Sequence, residues 1–254
     1  MKGVILAGGL GSRLMPLTKV TNKHLMPVYD RPMIFYPLQC LINAGISEVL
    51  LVTGGNHAGD FLQLLGNGKE LGLRELHYTY QQGEGGIADA LSLAEDFARG
   101  DRIVVVLGDN IIEKSIRTGV ENFASQRRGA RVYLKEVADP ERFGVAAFDK
   151  GGRIVRIIEK PTSAPSRMAV TGIYMYDEQV FDFISRLEPS ARGELEITDV
   201  NNFYLDQGTL EHEILEGWWT DAGTFESLHR ASNLVADGGA NHVEPQHSAQ
   251  AVLF

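Results

Sequence analysis

Short, unbroken apolar runs alternate through the first half of the chain with stretches whose apolar residues fall three or four positions apart. The first pattern is that of a strand covered on both faces, and the second is one side of a helix. Read this way, residues 3–7, 48–53, 76–80 and 103–107 are strands. Residues 33–44, 59–65 and 87–98 are helices, with Gly45 and Gly100 placed to end two of them. Strand and helix in strict alternation predict a largely parallel sheet between layers of helix. The second half is richer in β-branched and aromatic residues. It predicts strands over 131–137, 144–148, 154–158 and 171–176, with Gly151-Gly152 as a hairpin turn. Helical spacing returns over 180–187, 197–207 and 225–236. Residues 237–254, with two glycines, a proline and weak periodicity, are expected to form a loose tail. No internal repeat or linker divides residues 1–236, which are expected to form a single domain.

The 254 residues, 44% apolar and 22% charged, suit one large soluble α/β domain with its own core. A net charge of −9 argues against a general nucleic-acid binder but not against a small anion, which needs only a few local cations. Cys40 is the single cysteine, so no internal disulfide can form, and it is expected to be a small core residue. No leader or membrane span is recognisable, and the expected compartment is the cytoplasm.

The chemistry begins at the end of the first strand. In Gly8-Gly9-Leu10-Gly11-Ser12-Arg13 a buried strand delivers a glycine-rich turn, whose N–H groups a phosphate can approach without meeting a Cβ. Arg13 and Lys23 then offer charge to its oxygens. A dinucleotide fingerprint is excluded, because Leu14 stands where its third glycine belongs and the second strand ends without a ribose-binding acid. A Walker A loop fails too, because Glu70 follows Gly68-Lys69. A purely structural turn stays open. Asp109 follows the most apolar strand, on the edge where open α/β sheets bind ligands. Its carboxylate suits a divalent cation or a helix cap. His24, beside Lys23, is the histidine placed to touch a phosphate. His212-Glu213 lacks the second histidine of a metalloprotease, and no G-x-S-x-G elbow occurs.

The stretch from Gly8 through Arg13 and Pro16 to Thr18, followed by Lys23 and Pro27, resembles the signature of the sugar-phosphate nucleotidylyltransferases, and the likeness runs from Lys2 to about Ala231. The resemblance implies a three-layer α/β/α sandwich, with a Rossmann-like, mixed but mostly parallel sheet and a strand-rich sugar-binding insertion. It implies an enzyme that joins a nucleoside triphosphate to a sugar 1-phosphate and releases pyrophosphate. The residues are most similar to the branch that uses dTTP and glucose 1-phosphate. UTP, another sugar phosphate, and a non-catalytic module that senses nucleotide sugars remain alternatives.

By the same resemblance Gly8, Gly9, Gly11, Ser12, Arg13 and Lys23 hold the triphosphate. Gln81 and the backbone near Gly86 read the base, and Asp109 and Asp221 carry Mg²⁺. Gly144, Glu159, Lys160, Val170, Tyr174 and Arg192 receive the sugar phosphate. Arg13, Lys23, Lys160 and Arg192 are the expected catalytic cations. Two departures fall in the base loop: Gln82 where proline is usual, and Asp89 where glutamine is common. Glu194 and Glu196 read as charges at a helix N-terminus, and Trp218 and Trp219 as packing residues. Longer members continue into a C-terminal helical segment that makes tetramer contacts. With the chain ending at Phe254, a smaller homo-oligomer or a monomer is expected, with no nucleic-acid or membrane partner.

Overall fold

The computed structural model describes residues 1–242. In chain order the elements are β1 (Lys2–Ala7), β2 (Pro27–Val28), β3 (Arg31–Pro32), α1 (Phe35–Asn43), β4 (Glu48–Gly54), α2 (Ala58–Leu65), β5 (Glu75–Gln81), α3 (Ile87–Ser92), α4 (Glu95–Ala98), β6 (Ile103–Leu107) and β7 (Asn110–Ile112). There follow α5 (Arg117–Ser125), β8 (Ala130–Glu136), β9 (Gly144–Phe148), β10 (Ile154–Glu159), β11 (Met168–Tyr176), α6 (Gln179–Ile184), α7 (Ile197–Asp206), β12 (Leu210–Ile214), β13 (Trp219–Asp221) and α8 (Phe225–Gly238).

One nine-stranded sheet organises the molecule, in the order β10-β9-β11-β6-β1-β4-β5, with β8 and β12 branching from β11. The pairings β6–β1–β4–β5 are parallel, and β11 enters antiparallel to β6. The strand-rich half is therefore an extension of the same sheet, joined through β11, and within the sheet only β10 and β11 run against the common direction.

Side-chain alternation along the central strands divides the core into two layers. Val4, Leu6, Leu50, Val52, Ile103 and Val105 pack under α3, α4, α6 and α7, against Ala88, Leu91, Phe183 and Tyr204. Their neighbours Ile5, Ala7, Val49, Leu51, Val104 and Val106 face α1, α2 and α5, against Leu38, Leu41, Phe61 and Phe123. Strands buried on both faces are apolar throughout, which is why their sequence shows runs and not alternation. Cys40 lies in the second layer, buried, and burial pushes its thiol up to about 12, so it is inert as a nucleophile. A third cluster binds α8 through Ala231 and Val235 to Val28, Met33 and Tyr36.

The expected strands and helices are present, with differences that have local causes. The helix expected over 87–98 is two, α3 and α4, where Ser92 Oγ donates to the Asp89 carbonyl at 2.7 Å, a bond that competes with the helical ladder. The elements α5, β7, β12 and β13 carry too few apolar residues in register to be read. In α5 only Val120 and Phe123 are buried apolar side chains, and β12 is a half-exposed strand with acids at two of its five positions. The tail expected from Asp237 is docked over residues 237–242. Asn241 N donates to the Ile112 carbonyl and its Nδ2 to that of Tyr36. Residues 243–254 of that tail lie outside the described residues. Among the described residues no helix is long and apolar enough to cross a membrane.

Candidate active site

The carboxyl ends of β1, β5 and β6 open into a cleft of about 510 Å³, lined by Gly8, Gly9, Ser12, Arg13, Lys23, Gln81, Gly86, Asp109, Lys160 and Arg192 among others. Its floor is built by backbone proximity. Gly8 packs so closely on Gln81 Oε1 that a Cβ there would collide with it, and a Cβ on Gly54 would collide with the Gly8 carbonyl. Gly11 has φ +69°, a conformation that favours glycine, and its carbonyl accepts from Thr18 Oγ1 at 3.0 Å. That turn leads into the short helical turn Ser12–Leu14, which buries Leu14 and sends Arg13 toward the carboxylates. A methyl on Gly223 would lie 3.2 Å from Arg13 Nη2, 3.4 Å from Asp221 Oδ2 and 3.5 Å from Asp109 Oδ2, so the three side chains converge there.

Asp109 leaves β6 with its Oδ2 accepting from Lys23 Nζ at 2.6 Å, both side chains largely buried. Burial alone would raise this carboxyl, but Lys23 beside it and the Asn110 amide on its Oδ1 at 3.1 Å hold it well below the ordinary range. It is an anion under any physiological condition. Asp221, on β13, accepts from Arg142 Nη2 at 3.0 and 3.2 Å. Burial and the Asp109 charge push its carboxyl up, against the pull of Arg142, Arg13 and Arg230. The pair is antagonistic in charge and shares one space. Two carboxylates suit Mg²⁺, which keeps several waters and takes oxygens from substrate phosphates, and no larger His/Cys/Asp/Glu group that could hold a metal exists among the described residues.

His24 borders this cleft but is buried. Asn22 Oδ1 accepts from both the His24 backbone N–H at 2.9 Å and ring Nδ1 at 2.8 Å. Burial first, and Lys23 second, push its pKa down to about 3, so the ring is neutral and offers a phosphate no charge. It packs under Gly108, where an added Cβ would lie 2.7 Å from the ring.

A second cleft of about 160 Å³ adjoins the first. It shares Arg13, Ile87, Leu107, Asp109 and Lys160 with it, and adds Gly144, Glu159, Val170, Tyr174, Thr198, Trp219 and Asp221. Glu159, at the end of β10, accepts from Thr198 Oγ1 at 2.6 Å, and a Cβ at Gly144 would sit 3.0 Å from that hydroxyl. Lys160 leaves the strand with φ +39° and stands between the two clefts. Arg192 is gripped by Glu196 at 2.7 and 2.9 Å, and also lies 3.3 Å from Glu194 and 3.4 Å from Glu159. Glu196 stands at the N-terminus of α7, as its sequence suggested, but it is buried and its carboxylate anchors Arg192 and Ser190. Its fixed charge keeps the guanidinium beside the clefts.

Of the residues expected to hold the triphosphate, the base, the metal and the sugar phosphate, the structure brings all onto these two clefts except Gly11, which shapes the turn beside them. Sequence reading missed Arg142, Asn110, Thr198 and the part played by Trp219. Asn110 Oδ1 accepts from Trp219 Nε1 at 2.7 Å and from the Gly172 N–H at 3.0 Å, which ties β7, β11 and β13 behind Asp109. Trp219 is thus a packing residue that also lines the smaller cleft, with its ring 5.1 Å from that of Phe143. Only Arg142 could have been suspected, as a cation two positions before Gly144.

Known proteins are similar to this chain in sequence and in fold. A solved structure from Bacillus anthracis, assigned as a glucose-1-phosphate thymidylyltransferase and holding a sucrose, superposes with a TM-score of 0.89 at 52% identity, covering 97% of this chain and 98% of that one. The glucose-1-phosphate thymidylyltransferase of Neisseria meningitidis serogroup A is 46% identical over 92% of this chain and 82% of its own length. That of Xanthomonas campestris pv. campestris is 46% identical over 92% and 80%. A UDP-glucose pyrophosphorylase in complex with UDP-glucose matches in fold, with a TM-score of 0.81 at 24% identity, covering 93% of this chain and 98% of that one. The nucleotidyl transferase family model matches residues 2–238, and the chain belongs to that family.

Proposed function

We propose that this protein catalyses dTTP + α-D-glucose 1-phosphate → dTDP-glucose + pyrophosphate. The observation that carries the reading is the meeting of two clefts at Arg13, Asp109 and Lys160, one walled by a glycine-rich phosphate turn and the other by Glu159, Thr198 and Tyr174. The relatives' thymidylyltransferase activity supports it. The triphosphate lies along Gly8, Gly9 and Ser12, and the sugar phosphate enters from the smaller cleft with Lys160 and Arg192 on its phosphate. A phosphate oxygen of the sugar forms a bond to the α-phosphorus. The bond from that phosphorus to the oxygen bridging it to the β-phosphorus breaks, and pyrophosphate leaves in line. The attacking oxygen is already anionic, so no general base is required, and catalysis rests on positioning and charge. Arg13 and Lys23 face the charge that grows on the leaving group. Asp109 and Asp221 would hold Mg²⁺, which when bound neutralises phosphate charge at the α-phosphorus.

The test is pyrophosphate release across a panel of dTTP, UTP, dCTP, GTP and ATP with glucose, galactose and mannose 1-phosphates. The highest kcat/KM is expected for dTTP with glucose 1-phosphate, and none in the absence of a divalent cation. A higher value for UTP or another sugar would move the assignment within the family. Thermal stabilisation by nucleotide with no pyrophosphate from any pair would replace the enzyme by a sensing module.

A further inference from the structure

We propose that Asp89, which stands behind the cleft wall, sets the base specificity of the site by fixing the orientation of the Gln81 side-chain amide. The inference rests on the nucleotide reading of the larger cleft. Gln81 is buried at the end of β5, between Gly8 and the loop that opens α3. Its Nε2 donates to Asp89 Oδ2 at 2.7 Å and to the Gly86 carbonyl at 3.2 Å. An ionised carboxylate and a carbonyl can only accept, so the nitrogen end of the amide must face them and both its hydrogens are spent inside the protein. The oxygen end is left over Gly8, in the wall of the cleft.

Asp89 is itself held in place. Its carboxylate lies flat on Gly85, where a Cβ would come within 2.5 Å of Oδ2, and it is absent from the cleft lining. The Gly86 carbonyl is fixed by the backbone around it, where Leu195 N donates to the Gly85 carbonyl at 2.8 Å and Ala88 N to that of Leu195 at 3.2 Å. An amide locked this way presents one acceptor and no donor. It pairs with a base whose central edge atom carries a hydrogen, such as N3–H of thymine or uracil. It opposes cytosine and adenine, whose corresponding ring nitrogen is a bare acceptor. A glutamine at position 89 could both donate and accept, and so would leave the amide free to turn over. Asp89 is a positioning residue, since it acts only through Gln81.

The experiment measures equilibrium binding and kcat/KM for dTTP and dCTP in the wild type, Asp89→Asn, Asp89→Ala and Asp89→Glu. The dTTP-to-dCTP ratio is expected to fall at least tenfold in Asp89→Asn and Asp89→Ala, through the nucleotide KM, with kcat at saturating dTTP and the KM for glucose 1-phosphate within about twofold of wild type. Those limits follow because a misplaced buried hydrogen-bonding group discriminates strongly while the phosphate contacts are untouched. Asp89→Glu, which keeps an acceptor, should recover part of the ratio. An unchanged ratio in folded Asp89→Asn and Asp89→Ala overturns the assignment. If both variants fail to fold, N3-methyl-dTTP tests it on the wild type: the analogue lacks the hydrogen that the locked oxygen requires, and binding within threefold of dTTP overturns the assignment. Because the ratio is also read by binding, preference for thymidine without pyrophosphate release would refute the reaction and leave the role of Asp89 standing.

Discussion

At the scale of single residues, charge and burial divide the labour of the site. Arg13 reaches the space shared by Asp109 and Asp221 from a turn that Gly11 makes, while Lys23 is already paired with Asp109. Arg13→Ala should therefore lower kcat by two orders of magnitude or more, with the KM for glucose 1-phosphate changed by less than about threefold. Steady-state kinetics decide it, and unchanged turnover would remove Arg13 from the mechanism. His24 carries a stability signature. Its pKa is about 6.5 unfolded and about 3 folded. Between those values the unfolded chain takes up a proton that the folded chain refuses, so stability is full above pH 6.5 and declines as pH falls, by up to about 1.4 kcal/mol per pH unit from this group. In His24→Gln the fall in urea stability between pH 6.5 and 5 should be shallower by about that slope. An identical slope in both proteins would contradict a neutral, buried ring.

Between elements, the narrowest tolerance lies where β11 passes β7. Gly172 admits Asn110 so closely that a methyl would come within 2.6 Å of Asn110 Nδ2 and 2.7 Å of Leu107 Cδ1. That amide donates to Asp109 Oδ1 at 3.1 Å. Gly172→Ala should thus cost about 2 kcal/mol of stability from overpacking. It should also reduce kcat, because the displaced amide no longer braces the carboxylate. Chemical denaturation and kinetics on one preparation would separate the two effects, and a variant of wild-type stability and activity would show that the strand can yield. The same junction explains why the second half of the chain extends the sheet: β11 bonds to β8 along one edge and to β6 and β9 along the other, carrying Val170 and Tyr174 to the smaller cleft.

For the molecule as a whole, a clasp follows the last helix. Asn241, at φ +58°, donates from Nδ2 to the Tyr36 carbonyl at 3.0 Å, and its own carbonyl accepts from Asn43 Nδ2 at 2.8 Å. This pins the chain beyond α8 to α1. Asn241→Ala loses one buried hydrogen bond and the residue type that tolerates the left-handed conformation, so it should destabilise the fold by about 2 kcal/mol. Activity at 25 °C should be unchanged. A thermal melt with no shift would show that the clasp contributes nothing.

Local burial and local stereochemistry are written into neighbouring residues and can be read without the fold. The doubly covered strands β1, β4 and β6 were legible as apolar runs, the phosphate turn as glycines following the first of them, and Asp109 as the carboxylate at the end of the last. Elements whose apolar residues are few, such as α5 and β12, were not legible, because partners elsewhere in the fold stabilise them. Tertiary structure alone decided the pairings. Lys23 meets Asp109 across 86 positions, and Arg142 meets Asp221 across 79. Glu196 read as a helix-end charge until α7 and the end of β10 gathered it with Arg192 and Glu159. Asp89 read as a departure in a loop until β5 brought Gln81 to within 2.7 Å of it. Periodicity records whether a side chain is covered, and only the order of strands in the sheet determines by what.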